Sequence, residues 1–169
     1  MDSQGRVDRA LFNARAEAIL HHPGFAEAKA VFCRDVPEFW LEQPLKRILI
    51  ADTGAMAITI CIVGFSRLWP EDGALLQMVI DKLSAGNLAS ANRIRALIDL
   101  LVAKDAVRIE PSEKDARRLK LTPTELLLEC HRSWFRSVLR PVSLVFDLSA
   151  SAEEIAAIPS FAERYITSI

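Results

Sequence analysis

The sequence has no Cys-x-x-Cys pair. Its three cysteines, Cys33, Cys61 and Cys130, stand far apart, and an odd number cannot close a disulfide framework. That points to a reducing cytoplasm. An excess of either charge is also lacking. The formal net charge is −1, so the molecule as a whole has no electrostatic reason to seek nucleic acid. There is no glycine-rich phosphate loop, since "GAMAITIC" lacks the required glycine and lysine pattern. No serine or cysteine nucleophile stands with a recognisable base. His21 and His22 precede a Pro-Gly turn and His131 falls on a long helical stretch. None has an acid or cysteine at ligand spacing, so they read as surface or capping histidines rather than metal ligands. These absences argue against an enzyme, a cofactor or a metal site.

Long hydrophobic runs are lacking too. The start, "MDSQGRVDRALF", has no apolar signal core. The most membrane-like stretch, residues 48–65, is broken by Asp52, Thr53 and Gly54. Its clean run from Ala55 to Phe65 is far shorter than the ~20 residues a span needs. It reads as a buried helix, with no membrane partner. No internal repeat and no low-complexity linker divides the chain.

What is present is an ordinary globular balance over 169 residues: 51% hydrophobic and 25% charged. That is enough for one domain with a real core. The charge is unevenly placed. Between Arg93 and Lys120 stand eight Lys or Arg against five Asp or Glu, while the remainder has thirteen against seventeen. A weakly acidic body with one basic segment suits a local anionic partner.

The pattern along the chain is mostly helical. Residues 4–21 and 25–34 read as helices, and Pro37 and Pro44 punctuate the next stretch. Asp52 or Thr53 can cap a helix to about Trp69, and Pro70-Glu-Asp-Gly reads as a turn. An amphipathic helix follows near 74–84, with Leu75, Leu76, Val79, Ile80 and Leu83 inward. After "SAGNLA", Ser90 is a good cap for a second helix to about 104. There Ile94, Leu97, Ile98, Leu101 and Val102 share one face. Asn92, Ala96, Asp99 and Ala103 point outward, flanked by Arg93 and Arg95. Asp105 can take the left-handed turn that ends the helix. "AVRIE" and "RLKLT" then predict two short strands, near 106–110 and 118–122. Thr122-Pro-Thr-Glu125 reads as a capping box that starts a long helix toward Leu139, kinked or stopped near Pro141. "SAEE" at Ser151 and "SFAE" at Ser160 suggest two short terminal helices.

Helix, break, helix and basic hairpin is the order of a winged helix-turn-helix. Its second helix is narrow enough to enter a major groove, while its hairpin carries cations to phosphates. From about Ala55 to Leu139 the chain resembles the MarR family of bacterial transcription regulators. The resemblance rests on Leu97-Ile98-Asp99-Leu100-Leu101, Lys104-Asp105-Ala106-Val107, Asp115-Ala116-Arg117 and Leu121-Thr122. The chain departs from the family pattern at Ala96, where relatives often have a DNA-facing arginine, and at Glu125, where glycine is common. Its hairpin is also about two residues shorter.

The fold class expected is mainly α with a small β-hairpin. A winged helix-turn-helix over 51–125 would be flanked by dimerisation helices at 1–50 and 126–169. The resemblance implies double-stranded DNA as partner, an obligate homodimer on a pseudo-palindromic site, and often a small ligand or oxidant as signal. The DNA-binding set would be Ser90 as the cap, Asn92, Arg93 and Arg95 at base edges, and Lys114, Arg117, Arg118 and Lys120 on the hairpin toward backbone or minor-groove phosphates. Trp40, Phe65, Trp69 and Trp134 could line a pocket for an apolar or aromatic effector, though core packing is the commoner fate of such side chains. A sensing Cys33 would need an exposed, acidified thiol, whereas Cys61 and Cys130 read as structural. The alternative reading is an interaction module that keeps this fold and binds protein or a small ligand without reading DNA.

Overall fold

A computed structural model of the protein describes residues 9–41 and 44–146. In chain order the elements are α1 (Arg9–Leu20), α2 (Phe25–Leu41), α3 (Pro44–Ala51), α4 (Thr53–Leu68), β1 (Ala74–Leu75), α5 (Leu76–Ala85), α6 (Ala91–Ala103), β2 (Val107–Pro111), β3 (Leu119–Pro123) and α7 (Glu125–Ser143). The architecture is mainly helical, with one small antiparallel sheet of strand order β1-β3-β2.

Helix α4 is the hub, because its sequence is apolar nearly all round. Residues Gly54, Ala55 and Ala57–Phe65 are buried, which a helix can satisfy only when neighbours cover every side. Asp52 starts it. Its Oδ1 accepts from the backbone N–H of Gly54 at 2.8 Å and of Ala55 at 3.2 Å. The expected cap is therefore Asp52 rather than Thr53. Helices α3, α5 and α6 and the sheet pack around α4 and share one core with it. Helix α7 begins on this core through Leu127 and Cys130, then runs along α2.

The opening of α6 and its end follow the sequence closely. Ser90 Oγ accepts from the N–H of Arg93 at 3.3 Å. Ile94, Leu97, Ile98 and Leu101 are buried. Asp105 takes φ 55°, and the N–H of Ala106 reaches back to the carbonyl of Leu101 at 2.9 Å. This is the left-handed helix stop that the sequence suggested. Val102, expected inward, is 37% exposed instead; it sits at the edge of the stripe, where the turn bends away.

Four other expectations change. The hairpin spans Val107–Pro111 and Leu119–Pro123, and it gains a third strand, since Ala74 and Leu75 pair with Leu121 and Lys120. Two residues are too few for a strand signature, so nothing local announced it. Thr122 does not cap a helix. Thr122 and Pro123 complete β3, and Thr124 turns its hydroxyl back to the carbonyl of Asp105 at 2.6 Å, with that of Ala106 at 3.1 Å. Pro37 does not stop α2, and Pro141 lies inside α7. Each proline costs one intrahelical bond; at Pro37 the freed carbonyl belongs to exposed Cys33, where water can bond it. Finally, His131 is buried, not on the surface.

Glycine is required at two joints. A Cβ on Gly24 would stand 2.1 Å from the carbonyl oxygen of Leu144, so the α1–α2 turn abuts the end of α7. Gly73 has φ 65°, and the Lys120 side chain lies across it. The helix expected from residue 4 is described only from Arg9. The terminal capping boxes at Ser151 and Ser160 lie outside the described residues. No helix among the described residues is long and apolar enough to cross a membrane.

Candidate nucleic-acid interface

The first turn of α6 and the β2–β3 hairpin carry the cations singled out in the sequence. Ser90, Asn92, Arg93 and Arg95 are all exposed, as are Ala96 and Asp99 on the same face. The inward phase of Ile94, Leu97, Ile98 and Leu101 forces this outward display. On the hairpin, Lys114, Arg117 and Arg118 are exposed and Lys120 is half-buried. The turn between the strands is fixed by its own backbone. The N–H of Arg117 donates to Asp115 Oδ1 at 3.0 Å, and the N–H of Ser112 donates to the carbonyl of Arg118 at 2.8 Å.

These cations are not equivalent. Arg93 pairs with Asp52 Oδ2, the second oxygen of the carboxylate that caps α4. The arginine holds Asp52 below the ordinary carboxylate range, opposed by partial burial and helped by the two capping N–H groups. Lys114 is held by acids as well, at 2.7 Å from Asp72 and 3.7 Å from Glu71, in the turn after α4. The hydrogen bond to Asp72 raises its pKa. By contrast, Arg95, Lys104, Arg108, Arg117 and Arg118 make no ion pair among the described residues. Asp52 and Asp72 thus pin two of the expected DNA contacts to opposite ends of α4, a helix roughly 24 Å long. Sequence reading saw Asp52 as a cap and the Glu71-Asp72 pair as a turn. Partners 41 positions apart left no local signal.

Of the four aromatic side chains expected to share a pocket, Phe65, Trp69 and Trp134 fall in two separate stacked pairs. Phe65 stacks with Trp69 at 5.3 Å between centroids, and Trp69 remains 44% exposed. Trp134 stacks with Phe39 at 5.5 Å. The Trp40 side chain lies outside the described set. Trp134, Phe39, Leu49, Met56, Cys130 and His131 enclose a void of only about 10 Å³, at the limit for one water. A roomier apolar hollow of about 340 Å³ lies elsewhere, between α2 and the end of α7.

Buried polar groups cluster near Trp134. Lys46 Nζ sits 4.1 Å from the centre of the Phe39 ring and 3.4 Å from Ser133 Oγ. His131 is fully enclosed and its Nε2 has no hydrogen-bond partner among the described residues. Burial, reinforced by nearby Arg67, lowers its pKa to about 4. Burial pushes the thiols of Cys61 and Cys130 up to about 11, so neither is a reactive thiolate. Cys33 is exposed. Among the described residues no group of three His, Cys, Asp or Glu side chains could hold a metal ion.

No protein-family model matches the chain, and no curated protein matches it.

Proposed function

We propose that this chain is a cytoplasmic DNA-binding transcription regulator of MarR type. In this reading α5, α6 and the β2–β3 hairpin form a winged helix-turn-helix, and a homodimer binds a pseudo-palindromic site. One observation carries the reading. The capped, exposed first turn of α6, with Arg95 free of ion pairs, is followed directly by a hairpin whose tip exposes Arg117 and Arg118. A helix N-terminus with cations suits a groove, and a cationic hairpin suits the flanking backbone. Helix α4, roughly 24 Å long, has the Arg93–Asp52 pair at one end and leads to the Lys114–Asp72 pair beyond the other, a span on the scale of half a turn of B-DNA, about 17 Å. One protomer can therefore reach a major groove and the phosphates beside it.

A second reading, an interaction module without DNA recognition, is favoured by a specific observation. Two of the expected contacts, Arg93 and Lys114, are already engaged by acids, and Ala96 and Asp99 occupy the exposed face.

Titration against a palindromic upstream site and scrambled DNA at several salt concentrations separates the two. Arg95→Ala should cost on the order of 1–3 kcal/mol on the cognate site and relax one position per half-site. Arg117→Ala should weaken all sequences about equally and lower the salt slope by about two for a symmetric dimer. Asp52→Asn releases Arg93 and should raise binding to scrambled DNA. Wild-type protein that fails to bind at low salt overturns the regulator reading and leaves the interaction module.

A further inference from the structure

An apolar space lies between α1, α2 and the end of α7, and it shares no residue with the candidate interface. Ile19 from α1, Phe25 and Phe32 from α2 and Val138 and Val142 from α7 wall a hollow of about 340 Å³. A second hollow of about 370 Å³ adjoins it, sharing Ile19 and Phe146. Each falls in the size range of small-molecule sites, roughly 300–1,000 Å³. Phe32 and Phe146 remain 46% and 48% exposed, so the space presents a contiguous apolar patch to solvent, and such a patch marks a binding surface. A backbone contact braces the walls. Gly24 meets the carbonyl oxygen of Leu144 too closely for a Cβ to fit between them, and the next residues, Phe25 and Val145, line the hollows.

The charge at the edges has one sign. Among the described residues, the titratable side chains that line the two hollows are Lys29, Arg15 and His22, with no acid. Neither Arg15 nor Lys29 makes an ion pair among the described residues. His22 is oriented by its own turn. The N–H of Gly24 donates to His22 Nδ1 at 3.0 Å. A neutral imidazole that accepts at Nδ1 carries its hydrogen on Nε2, so the ring offers a donor there.

We propose that the two hollows together bind one molecule of a long-chain carboxylate, its chain among Phe25, Phe32, Val138 and Val142 and its head at Arg15 and His22. A flexible methylene chain can follow the walls from one hollow into the next, whereas a compact ring would fill one and leave the other wet. A carboxylate accepts from both a guanidinium and an imidazole N–H. An ammonium head would meet Arg15 and Lys29 with no acid beside them, and an alcohol would forgo the charge. Lys29 adds a cation beside the chain, and its own methylene stem can lie along the wall. The site holds whether or not the protein binds DNA.

Calorimetric titration of the full chain with dissolved decanoate, decanol and decylammonium tests this. Decanoate should bind saturably, one molecule per chain, at least tenfold more tightly than the other two. Arg15→Gln should weaken decanoate about tenfold and leave decanol unchanged. Phe32→Asp places an acid at an exposed wall position and should weaken decanoate and decanol alike, with circular dichroism confirming that the helices persist. Arg15 is exposed on the outside of α1, so its variant reads the head group even where Phe32→Asp disturbs the fold. Absence of saturable decanoate binding would overturn the proposal, and so would equal affinity for all three probes. Decanoate affinity unchanged by Arg15→Gln, or by a folded Phe32→Asp, would place the ligand elsewhere and overturn it too. Binding to phosphatidylglycerol vesicles without binding of dissolved decanoate would also overturn it and make a lipid surface the occupant.

Discussion

His131 is an imidazole with a buried Nε2 that bonds nothing among the described residues, near the Arg67 charge and against Cys130 and Trp134. Its neutral form is the one this site accepts. The folded pKa of about 4 lies below the ordinary 6.5, so the unfolded chain binds the proton first as pH falls. The stability that the neutral ring permits is present above about pH 6.5 and is lost between there and about pH 4. Urea unfolding should show about 2 kcal/mol less stability at pH 5 than at pH 7 from this residue. In His131→Leu that part of the slope should vanish, because leucine fills similar volume without a proton to bind. An unchanged slope in the variant would assign the pH dependence elsewhere. Asp52 acts with the opposite sign of charge. Its lowered pKa means that its cap and its pairing with Arg93 contribute above the ordinary carboxylate value of 3.8 and fade as pH falls through the lowered one.

At the scale of elements, α6 divides its apolar residues sharply. Ile98 is 1% exposed and Val102 37%. Ile98→Ala should cost about 2–5 kcal/mol, whereas Val102→Ala should stay within about 0.5 kcal/mol; denaturant midpoints measure both. Similar losses at the two sites would mean that Val102 is covered in solution. The stripe, the Ser90 cap and the Asp105 stop were legible because each is a local rule with its own residue type. The end of the hairpin's second strand was not: Thr122 was expected in the strand near 118–122 and also as a helix cap, whereas β3 runs on to Pro123 and Thr122 caps nothing. A Thr-x-x-Glu capping box and a strand end look alike until β1 and β2 bid for the same backbone, and here the sheet ladder wins. Likewise Pro37 reads as punctuation in sequence, yet α2 continues past it because α2 packs along α7 and that packing outweighs one missing hydrogen bond. The candidate site was legible as a set of cations, since their exposure follows from helix phase. The restraints on them were not, because Asp52–Arg93 and Asp72–Lys114 join residues that only the tertiary fold brings together.

For the whole molecule, the expected state under the proposed function is a homodimer. Phe12 and Leu20 on α1 leave apolar surface that water would otherwise cover. An obligate interface of this kind buries more than ~2,000 Å². Sedimentation should therefore give a dimer at micromolar concentration, and a stable monomer of native shape would contradict it. Such a dimer would also set the spacing between the two α6 helices, and with it the half-site separation on DNA.

The two-residue strand β1 has a larger consequence than its size suggests. It enters the sheet just before α5, and its partner β3 leaves just after the hairpin, with Ala74 facing Leu121. Everything between, including α5 and α6, is thereby closed into a loop fastened at its base by a few backbone hydrogen bonds. A loop closed this way orders its contents together. The helix pair cannot drift from the hairpin without unfastening β1, and a push on the hairpin tip is transmitted through β3 to the root of α5. The cations at the start of α6 and those at the hairpin tip are thus carried on one hydrogen-bonded framework. Under the proposed function, a fixed gauge between contacts would matter as much as the contacts themselves.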